Sequence, residues 1–325
     1  MSDSPLEALT VGRVGVDLYP LQSGVPLAEV RTFAKSLGGT ATNVAVAAAR
    51  LGRRSAVLTK VGPDGFGDFV RTALTEFGVR AHYVSTAPEL RTPVVFCELN
   101  PPADPPLLFY RAPLAPDLTL TPDDVPWEVV ETVPLLWVTG TGVSAEPGRS
   151  TQRAMLERRA RFGHTVLDLD YRPMFWPDLA TARREIGWML EHVNVVVGNR
   201  IEAEVAVGSA DPDAAADRLL ARGVRLALIK CGAEGVLAAT AAARWTVPAC
   251  PVEVVCGLGA GDGFGGALVH GLLSGWDPLR LATYANAAGA LVAARLACAD
   301  AMPTAAEIEA MVDTNGSAER LPLCD

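Results

Sequence analysis

The chain has 325 residues; half of them are apolar, a fifth are charged, and 28 basic side chains stand against 37 acidic ones. This composition excludes intrinsic disorder, which requires low hydrophobicity and a high charge density. The net charge of −9, with no Lys/Arg block longer than two residues, argues against a nucleic-acid-binding protein. A chain of this length buries a large core without disulfide or metal staples, in about two domains or one large α/β unit.

The cysteines and the chain start predict a cytoplasmic protein. No CxxC pair occurs among the six cysteines, most of which lie in apolar surroundings typical of reduced, buried thiols: Cys97, Cys231, Cys250, Cys256, Cys298 and Cys324. The first ten residues lack the basic and apolar regions of a signal peptide. The most apolar late stretch, 285–299, is interrupted by Asn286 and Arg295 and is too short to span a bilayer.

Short β-branched runs alternate with longer Ala/Leu-rich runs along the chain. The pattern predicts strands at 11–17, 55–61, 135–139, 164–168, 194–197 and 227–230. It predicts helices at 40–51, 65–77, 149–162, 178–192, 211–222, 260–274 and 278–297. Near-continuously apolar strands that alternate with helices indicate a parallel sheet covered on both faces. We therefore expect an α/β fold, a three-layer α/β/α sandwich with a mainly parallel central sheet.

Two stretches interrupt this rhythm. Residues 19–36 are mixed and contain two prolines, while residues 82–114 hold strands at 93–99 and 107–111 around a Pro-rich turn. Because no helix separates those two strands, we expect an antiparallel patch outside the main sheet. The two stretches together predict a small, discontinuous β-lid on a domain that covers 10–305. Residues 306–325 are predicted to be a short helix and a loose C-terminal tail.

The strongest local motif is Cys256-Gly-Leu-Gly-Ala-Gly-Asp262, which follows the apolar run 251–255 and opens a helix. Glycines at the start of a helix let backbone N–H groups turn toward an anion, and the helix dipole adds to the attraction. Asp262 could accept the proton of a substrate hydroxyl while these N–H groups hold a transferring phosphoryl group. The alternative is that Asp262 is a helix cap on a Gly-rich turn.

Two other Gly-rich interpretations can be tested on the sequence. Gly261, Gly263 and Gly266 have the spacing of a dinucleotide fingerprint, but they lie within the predicted helix and Leu281 stands where a ribose-binding acid belongs. The dipeptide Gly-Lys does not occur, so a P-loop is excluded. A dehydrogenase is therefore disfavoured.

A second motif is Gly38-Gly39-Thr-Ala-Thr-Asn43. The double glycine allows a close approach of backbone to a ligand, and Asn43 would lie in the first turn of the following helix, where its amide can face that ligand. Taken alone, the motif is better explained as a loop followed by a helix cap.

Together, the early Gly38-Gly39…Asn43 motif and the late Gly259-Ala-Gly-Asp262 motif resemble the two signatures of the ribokinase family of carbohydrate kinases. The resemblance covers about residues 10–305. It implies a ribokinase-like fold, ATP and Mg²⁺, with Asp262 as the base and Gly259, Ala260 and Gly261 as the anion hole. It places Asp17, Gly39 and Asn43 on sugar hydroxyls and Glu202 near magnesium, through water. It also implies contacts with ATP for Asn199, Lys230, Gly232, Gly235 and Asn286.

A closer resemblance is to the members of this family that phosphorylate keto-deoxy sugar acids, in particular 5-dehydro-2-deoxygluconate from inositol breakdown. It rests on the segments 12–18, 33–39, 109–111 and 168–176. A sugar acid needs a cation at its carboxylate end, and a planar guanidinium suits that anion. Arg111 and Arg172 are the candidates; Asp170 is assigned to the same end, where it and Asp168 could instead pair with Arg172.

The sequence departs from the family at Cys256 and Gly257, where many members have Asp-Thr beside a monovalent-cation site. A thiol is a poor ligand for a hard cation, which argues against activation by K⁺, although backbone carbonyls could still form a site. Cys256 is better explained as a small buried residue than as a nucleophile.

Three alternatives remain open on the sequence: a 2-keto-3-deoxygluconate kinase, a kinase of neutral sugars such as fructose, and a sensor that kept the fold but lost turnover. The intact Gly-Ala-Gly-Asp segment argues against the sensor, because a binder has no need of the base. The expected partners are ATP and a small sugar acid, without nucleic acid or membrane. A homo-oligomer through the β-lid is left open.

Overall fold

The computed structural model describes residues 4–22, 24–103, 105–315 and 319–321. The strands are β1 (Ala8–Val11), β2 (Gly15–Pro20), β3 (Phe33–Gly38), β4 (Ser55–Val61), β5 (Val84–Thr86), β6 (Val94–Cys97), β7 (Leu107–Tyr110), β8 (Leu135–Thr139), β9 (His164–Asp168), β10 (Val195–Asn199), β11 (Leu226–Lys230), β12 (Val236–Ala239), β13 (Arg244–Val247) and β14 (Glu319–Leu321). The α-helices are α1 (Thr40–Arg50), α2 (Gly65–Glu76), α3 (Trp127–Thr132), α4 (Gly148–Arg159), α5 (Leu179–Leu190), α6 (Arg200–Val207), α7 (Pro212–Leu220), α8 (Ala260–Leu273), α9 (Pro278–Ala293) and α10 (Ala305–Asn315).

The main sheet has the strand order β14-β13-β12-β11-β10-β9-β8-β1-β4-β5. The strands from β5 to β11 in this order pair in parallel, and β12, β13 and β14 add an antiparallel edge. The predicted mainly parallel central sheet is therefore confirmed.

Both faces of this sheet are buried, as β8 illustrates. Leu136 and Val138 belong to a core shared with α3 to α7, while Leu135 and Trp137 belong to a core shared with α1, α8, α9 and α10. Successive side chains of a strand point to opposite faces, so a strand covered by helices on both sides must be apolar throughout. The three-layer α/β/α sandwich is confirmed.

The smaller sheet has the order β3-β2-β6-β7 and forms the lid. The predicted antiparallel pairing of the two later strands is confirmed for β6 and β7. The single predicted strand over 11–17 is wrong: β1 ends at Val11 in the main sheet, and β2 begins at Gly15 in the lid. Gly12 has φ +144°, a backbone conformation that side-chain-bearing residues rarely adopt, and the chain changes sheets there.

The predicted lid boundaries also need correction. The lid includes residues 15–18, whereas β5, within the stretch 82–114, pairs with β4 in the main sheet. The hairpin β12–β13 and the short helix α6 are additions that the sequence patterns did not predict. The apolar run 251–255 forms no strand; the N–H groups of Val255 and Cys256 instead donate to the Ala293 carbonyl at the end of α9.

The predicted short C-terminal helix is confirmed as α10. This helix packs on the body of the domain, because Ile308 is fully buried in the same core as residues of α9. β14 then pairs with β13 at the edge of the main sheet. Cys324 lies outside the described residues, and the five described cysteines are free thiols.

Candidate active site

A cavity of about 590 Å³ lies between the lid, the N-terminus of α8 and the carboxyl ends of the main-sheet strands. This edge is where ligands bind in open α/β sheets, because the loops that leave parallel strands meet there. The cavity wall contains most of the residues predicted from the sequence: Asp17, Gly39, Asn43, Arg111, Asp168, Asp170, Arg172, Asn199, Glu202, Lys230, Gly232 and Gly259 to Asp262.

The first turn of α8 forms one end of the cavity. Gly259 caps the helix with φ +85°, and Asp262 follows in the first turn. The first N–H groups of a helix have no intrahelical acceptors, so this turn offers donors and a positive dipole end to an anion. The predicted anion hole therefore has the helix start that it requires.

Asn43 in α1 donates from Nδ2 to Oδ2 of Asp262 at 2.7 Å. The contact depends on a close approach of α1 and α8: a Cβ on Gly266 would lie 2.1 Å from the Ala47 Cβ. Oδ1 of Asn43 is buried and has no hydrogen-bond partner in the described part of the chain. The two sequence motifs thus meet in space, and they leave one acceptor for a ligand hydroxyl.

Burial raises the pKa of Asp262 to about 6, while the hydrogen bond from Asn43 opposes this rise. Burial, together with repulsion from Asp262, raises the pKa of Asp17 to about 7. A carboxylate whose pKa lies just below neutral pH can both accept and release a proton near pH 7. Asp262 has the environment of a general base.

Lys230, at the end of β11, lies beside this helix start. A Cβ on Gly261 would lie 3.1 Å from its Nζ. Burial lowers the pKa of Lys230, but Glu202, Asp168 and Asp262 outweigh it and raise the pKa above its ordinary value. The ammonium therefore stays charged next to the N–H groups of α8.

Asn199 and Glu202 form a capping box at the start of α6. Oδ1 of Asn199 accepts from the Glu202 N–H at 2.9 Å, and Oε2 of Glu202 accepts from the Asn199 N–H at 2.7 Å. Both residues also line the cavity. Among the described residues, no group of three or more His, Cys, Asp or Glu side chains is arranged to hold a metal ion.

Two predicted nucleotide residues lie outside the cavity wall. A Cβ on Gly235 would lie 1.9 Å from the Val247 carbonyl oxygen, so glycine is required there. Nδ2 of Asn286 donates to the carbonyl of the next residue, Pro248, at 2.8 Å. Gly235 and Asn286 therefore meet at one segment after β13, beyond the part of the cavity that Gly232 lines.

The double glycine makes room for the Asp17 carboxylate. A Cβ on Gly38 would lie 2.1 Å from Oδ1 of Asp17, and one on Gly39, at φ +100°, would lie 2.4 Å from the Arg13 carbonyl oxygen. The hydroxyl of Tyr19 donates to Oδ2 of Asp17 at 3.3 Å. The Gly38-Gly39 pair is thus needed for packing between lid and body as well as for ligand access.

Another part of the cavity wall, here called the arginine end, holds Arg13, Arg111 and Arg172. Nη2 of Arg111 donates to both carboxylate oxygens of buried Asp117, at 2.9 and 3.1 Å. Nε of Arg172 lies 3.4 Å from Oδ1 of Asp170, and the Arg172 side chain is 40% exposed. The predicted pairing of Asp170 with Arg172 is present, and both predicted arginines line one cavity with Asp262.

Asp168 lies at the end of β9, next to this group. Burial raises the pKa of Asp168 well above its ordinary value, while Lys230 opposes the rise. Its Oδ1 accepts from the Asp170 N–H at 3.2 Å, so it holds the backbone of the turn that carries Asp170.

Three residues of the arginine end were missed from the sequence: Arg13, Asp117 and Phe175. Arg13 donates to Asp170, and the guanidinium groups of Arg13 and Arg111 lie 5.6 and 5.0 Å from the centre of the Phe175 ring. Arg13 and Phe175 lie in the segments 12–18 and 168–176 that carry the closer resemblance, and this was the available signal. Asp117 carries no local motif.

Cys256 is fully buried, as expected for a small structural residue. It packs with Cys97, Cys298 and Tyr19, and the Tyr19 hydroxyl oxygen lies 2.9 Å from the Cys298 sulfur. None of the helices in the described part of the chain has the length and hydropathy of a membrane span.

A family model described as pfkB family carbohydrate kinase matches residues 6–305. A 5-dehydro-2-deoxygluconokinase of Photobacterium profundum is 34% identical over 310 residues, which cover 93% of each chain. One from Geobacillus kaustophilus is 30% identical over 325 residues, 97% of each chain. A fructokinase double mutant of Vibrio cholerae, solved with fructose, ADP and potassium ion, has a TM-score of 0.85 at 26% identity and covers 96% of this chain and 100% of its own. The chain belongs to the pfkB family of carbohydrate kinases.

Proposed function

We propose that this protein is an ATP-dependent kinase that transfers the γ-phosphoryl group to the terminal hydroxyl of 5-dehydro-2-deoxy-D-gluconate. The observation that carries the proposal is one cavity whose wall holds both a buried carboxylate at a helix start and a cluster of arginines. The relatives of that name, 34% and 30% identical over nearly their full length, support the choice of substrate.

The residues at the start of α8 would carry out the phosphoryl transfer. Ionised Asp262 takes the proton of the substrate hydroxyl as its oxygen attacks phosphorus, and the Gly259–Gly261 backbone N–H groups with Lys230 stabilise the charge on the transferring group. The lid excludes water, which would compete as the phosphoryl acceptor.

On the nucleotide side, we assign contacts with ATP to Asn199, Gly232, Gly235 and Asn286, in addition to Lys230. Mg²⁺ commonly keeps several waters and binds one or two carboxylates plus phosphates, so a single carboxylate on the cavity wall fits it. Glu202 would hold the ion through water, and the ion would neutralise phosphate charge.

On the sugar side, Asp17, Gly39 and Asn43 hold hydroxyl groups, and the unpaired Oδ1 of Asn43 supplies a ready acceptor. Arg111 and Arg172 hold the carboxylate. The buried Cys256 at the start of the anion-hole loop supports a reaction that does not depend on K⁺.

We also propose that the lid mediates a homo-oligomer of a cytoplasmic enzyme. Phe33, Phe96 and Tyr110 stack edge to face, with centroids 5.4 and 5.5 Å apart, and Tyr110 is 61% exposed. Because Val95 and Phe109 face the cavity, the alternating residues Phe96 and Tyr110 face outward. Loss of the oligomer in Tyr110→Glu, measured by light scattering, would support the proposal.

The test of the function is a substrate panel. Purified protein with Mg-ATP is offered 5-dehydro-2-deoxygluconate, 2-keto-3-deoxygluconate, fructose and ribose, and phosphorylated products are measured by mass spectrometry. We expect the highest kcat/KM for 5-dehydro-2-deoxygluconate. A preference for a neutral sugar would overturn the substrate assignment, and binding without any product would favour a sensor.

A further inference from the structure

Arg13 lies between β1 of the main sheet and β2 of the lid, and its guanidinium is locked in place. Nη2 donates to both oxygens of Asp170, at 2.8 and 2.7 Å, and Nε donates to the Thr141 hydroxyl at 3.1 Å. Nη2 also donates to the Thr40 hydroxyl. These partners come from α1 and from the ends of β8 and β9, so the cation is fixed by three separate elements.

One edge of this guanidinium still faces the cavity. Nη1 donates no hydrogen bond to any described residue, and it is not among the buried atoms that lack a partner. Arg13 lines the cavity, although its side chain is only 8% exposed. The accessible part of this side chain is therefore a cavity-facing donor edge.

Asp170, in contrast, has little capacity left for a ligand. Its Oδ2 accepts from Arg13 and from the Thr141 hydroxyl, at 2.7 Å, while Oδ1 accepts from Arg13 and faces Nε of Arg172. Its backbone φ of +30° is unusual for a residue other than glycine, and such conformations are retained where the surroundings hold them. The carboxylate lies between two arginines: it accepts hydrogen bonds from Arg13 and forms an ion pair with Arg172 at 3.4 Å.

Two arginines share one carboxylate at this end of the cavity. Arg13 and Arg172 both pair with Asp170, whereas Arg111 has a partner of its own, Asp117. A ligand carboxylate would supply a second anion for Arg13 and Arg172, and charge-assisted contacts of this kind are the strong ones.

We propose that Arg13 contacts the substrate carboxylate together with Arg172 and determines specificity for sugar acids, while Asp170 positions both guanidinium groups. The inference rests on the proposed sugar-acid kinase activity and names a residue of that same site. It reassigns Asp170, which the sequence pointed to as a sugar ligand, to a positioning role.

The test compares two substrates that differ only in this charge: 5-dehydro-2-deoxygluconate and its C1 amide. We expect Arg13→Gln to lower kcat/KM for the acid about ten- to a hundred-fold, the loss typical of a charge-assisted hydrogen bond. Turnover of the amide should change much less, so the acid/amide ratio of kcat/KM should fall. Arg13→Lys should give an intermediate ratio, because an ammonium cannot donate the same fork of hydrogen bonds.

Arg159→Met is the matched control, since Arg159 is a buried arginine that donates to the Val130 and Val133 carbonyls away from the cavity. Its melting temperature should fall while the acid/amide ratio stays at the wild-type value. If Arg13→Gln does not fold, the ratio in Arg13→Lys decides. An acid/amide ratio of kcat/KM that is unchanged in a folded Arg13 variant would overturn this inference alone. An acid/amide ratio near one in the wild-type enzyme would overturn the sugar-acid assignment and this inference with it.

Discussion

At the α8 end of the cavity, the working groups come from short stretches of sequence: Gly259 to Asp262 are contiguous, and Asn199 and Glu202 share one turn. At the arginine end, no two of Arg13, Arg111 and Arg172 are neighbours in the chain, and each is held by an aspartate. Under the proposed function, the first end acts on any hydroxyl substrate, whereas the second binds one functional group, the carboxylate of a sugar acid. Changes at the first end should therefore slow every substrate, and changes at the second should slow only acids.

The largest effect is expected for Asp262→Asn. Asparagine keeps the volume and can still accept the hydrogen bond from Asn43 but cannot take the proton, so kcat should fall on the order of 10²–10⁴-fold on acids and neutral sugars alike. The KM for ATP and the melting temperature should change little.

Asp211→Asn provides a matched control, because Asp211 caps α7 through the Ala214 N–H. It should retain wild-type kcat. Near-normal turnover in Asp262→Asn would show that Asp262 is not the base. It would also contradict the distinction between a catalytic α8 end and an arginine end that binds the carboxylate.

Removal of either predicted clamp arginine should have the next largest effect. We expect Arg172→Met to lower kcat/KM for the sugar acid by about ten- to a hundred-fold and to leave neutral sugars and the KM for ATP unaffected. Arg111 needs a double variant, Arg111→Met with Asp117→Asn, because a buried carboxylate left unpaired costs about 3–5 kcal/mol of stability.

Arg153→Met is the control for these substitutions. Arg153 also pairs with a carboxylate, Glu185, at 2.5 Å and lies 4.7 Å from the centre of an aromatic ring, that of Trp188, but it does not line the cavity. Full activity on the acid in both Arg172→Met and the Arg111→Met, Asp117→Asn double variant would mean that the arginine end does not bind the carboxylate.

The pH profile tests the α8 end without substitution. Because the pKa of Asp262 is raised to about 6, the base is ionised above that value and protonated below it. We expect kcat/KM to decline as the pH drops from about 7 toward 5, with a second contribution from Asp17 near 7. Asp17→Asn should remove the contribution near 7 and retain the one near 6; a flat profile from pH 5 to 8 would contradict both assignments.

The smallest effect concerns the monovalent cation. Cys256 stands beside the anion hole without offering a hard ligand, so activity in potassium, sodium or tetramethylammonium salts should agree within about two-fold at equal ionic strength. Initial rates over a range of each salt provide the measurement. A saturable activation by potassium would show that backbone carbonyls build the site instead.

Local sequence patterns predicted the bounds of strands well where burial of apolar side chains was the dominant driving force. The strands β4, β8 and β9 have the predicted bounds, because each holds a run of buried apolar side chains, and glycine, proline or polar residues lie at its ends. The strand predicted at 11–17 was wrong because β-branched residues continue across Gly12 while the backbone changes sheets. The run 251–255 is similarly apolar, yet the N–H group of its last residue, Val255, donates to a helix-end carbonyl instead of a neighbouring strand.

The sequence alone determined the fold class and the helix start that carries Asp262, because these features depend on residues close together in the chain and on glycine where no side chain fits; only the family resemblance linked that helix start with Gly39 and Asn43. Only the tertiary structure showed that Asn43 contacts Asp262, that Arg111 pairs with Asp117 and Arg13 with Asp170, and that Gly235 and Asn286 lie outside the cavity wall. The physical reason is that an ion pair depends on distance in space. Arg13 and Asp170 are 157 positions apart in the chain, and only the adjacency of β1, β8 and β9 brings them together.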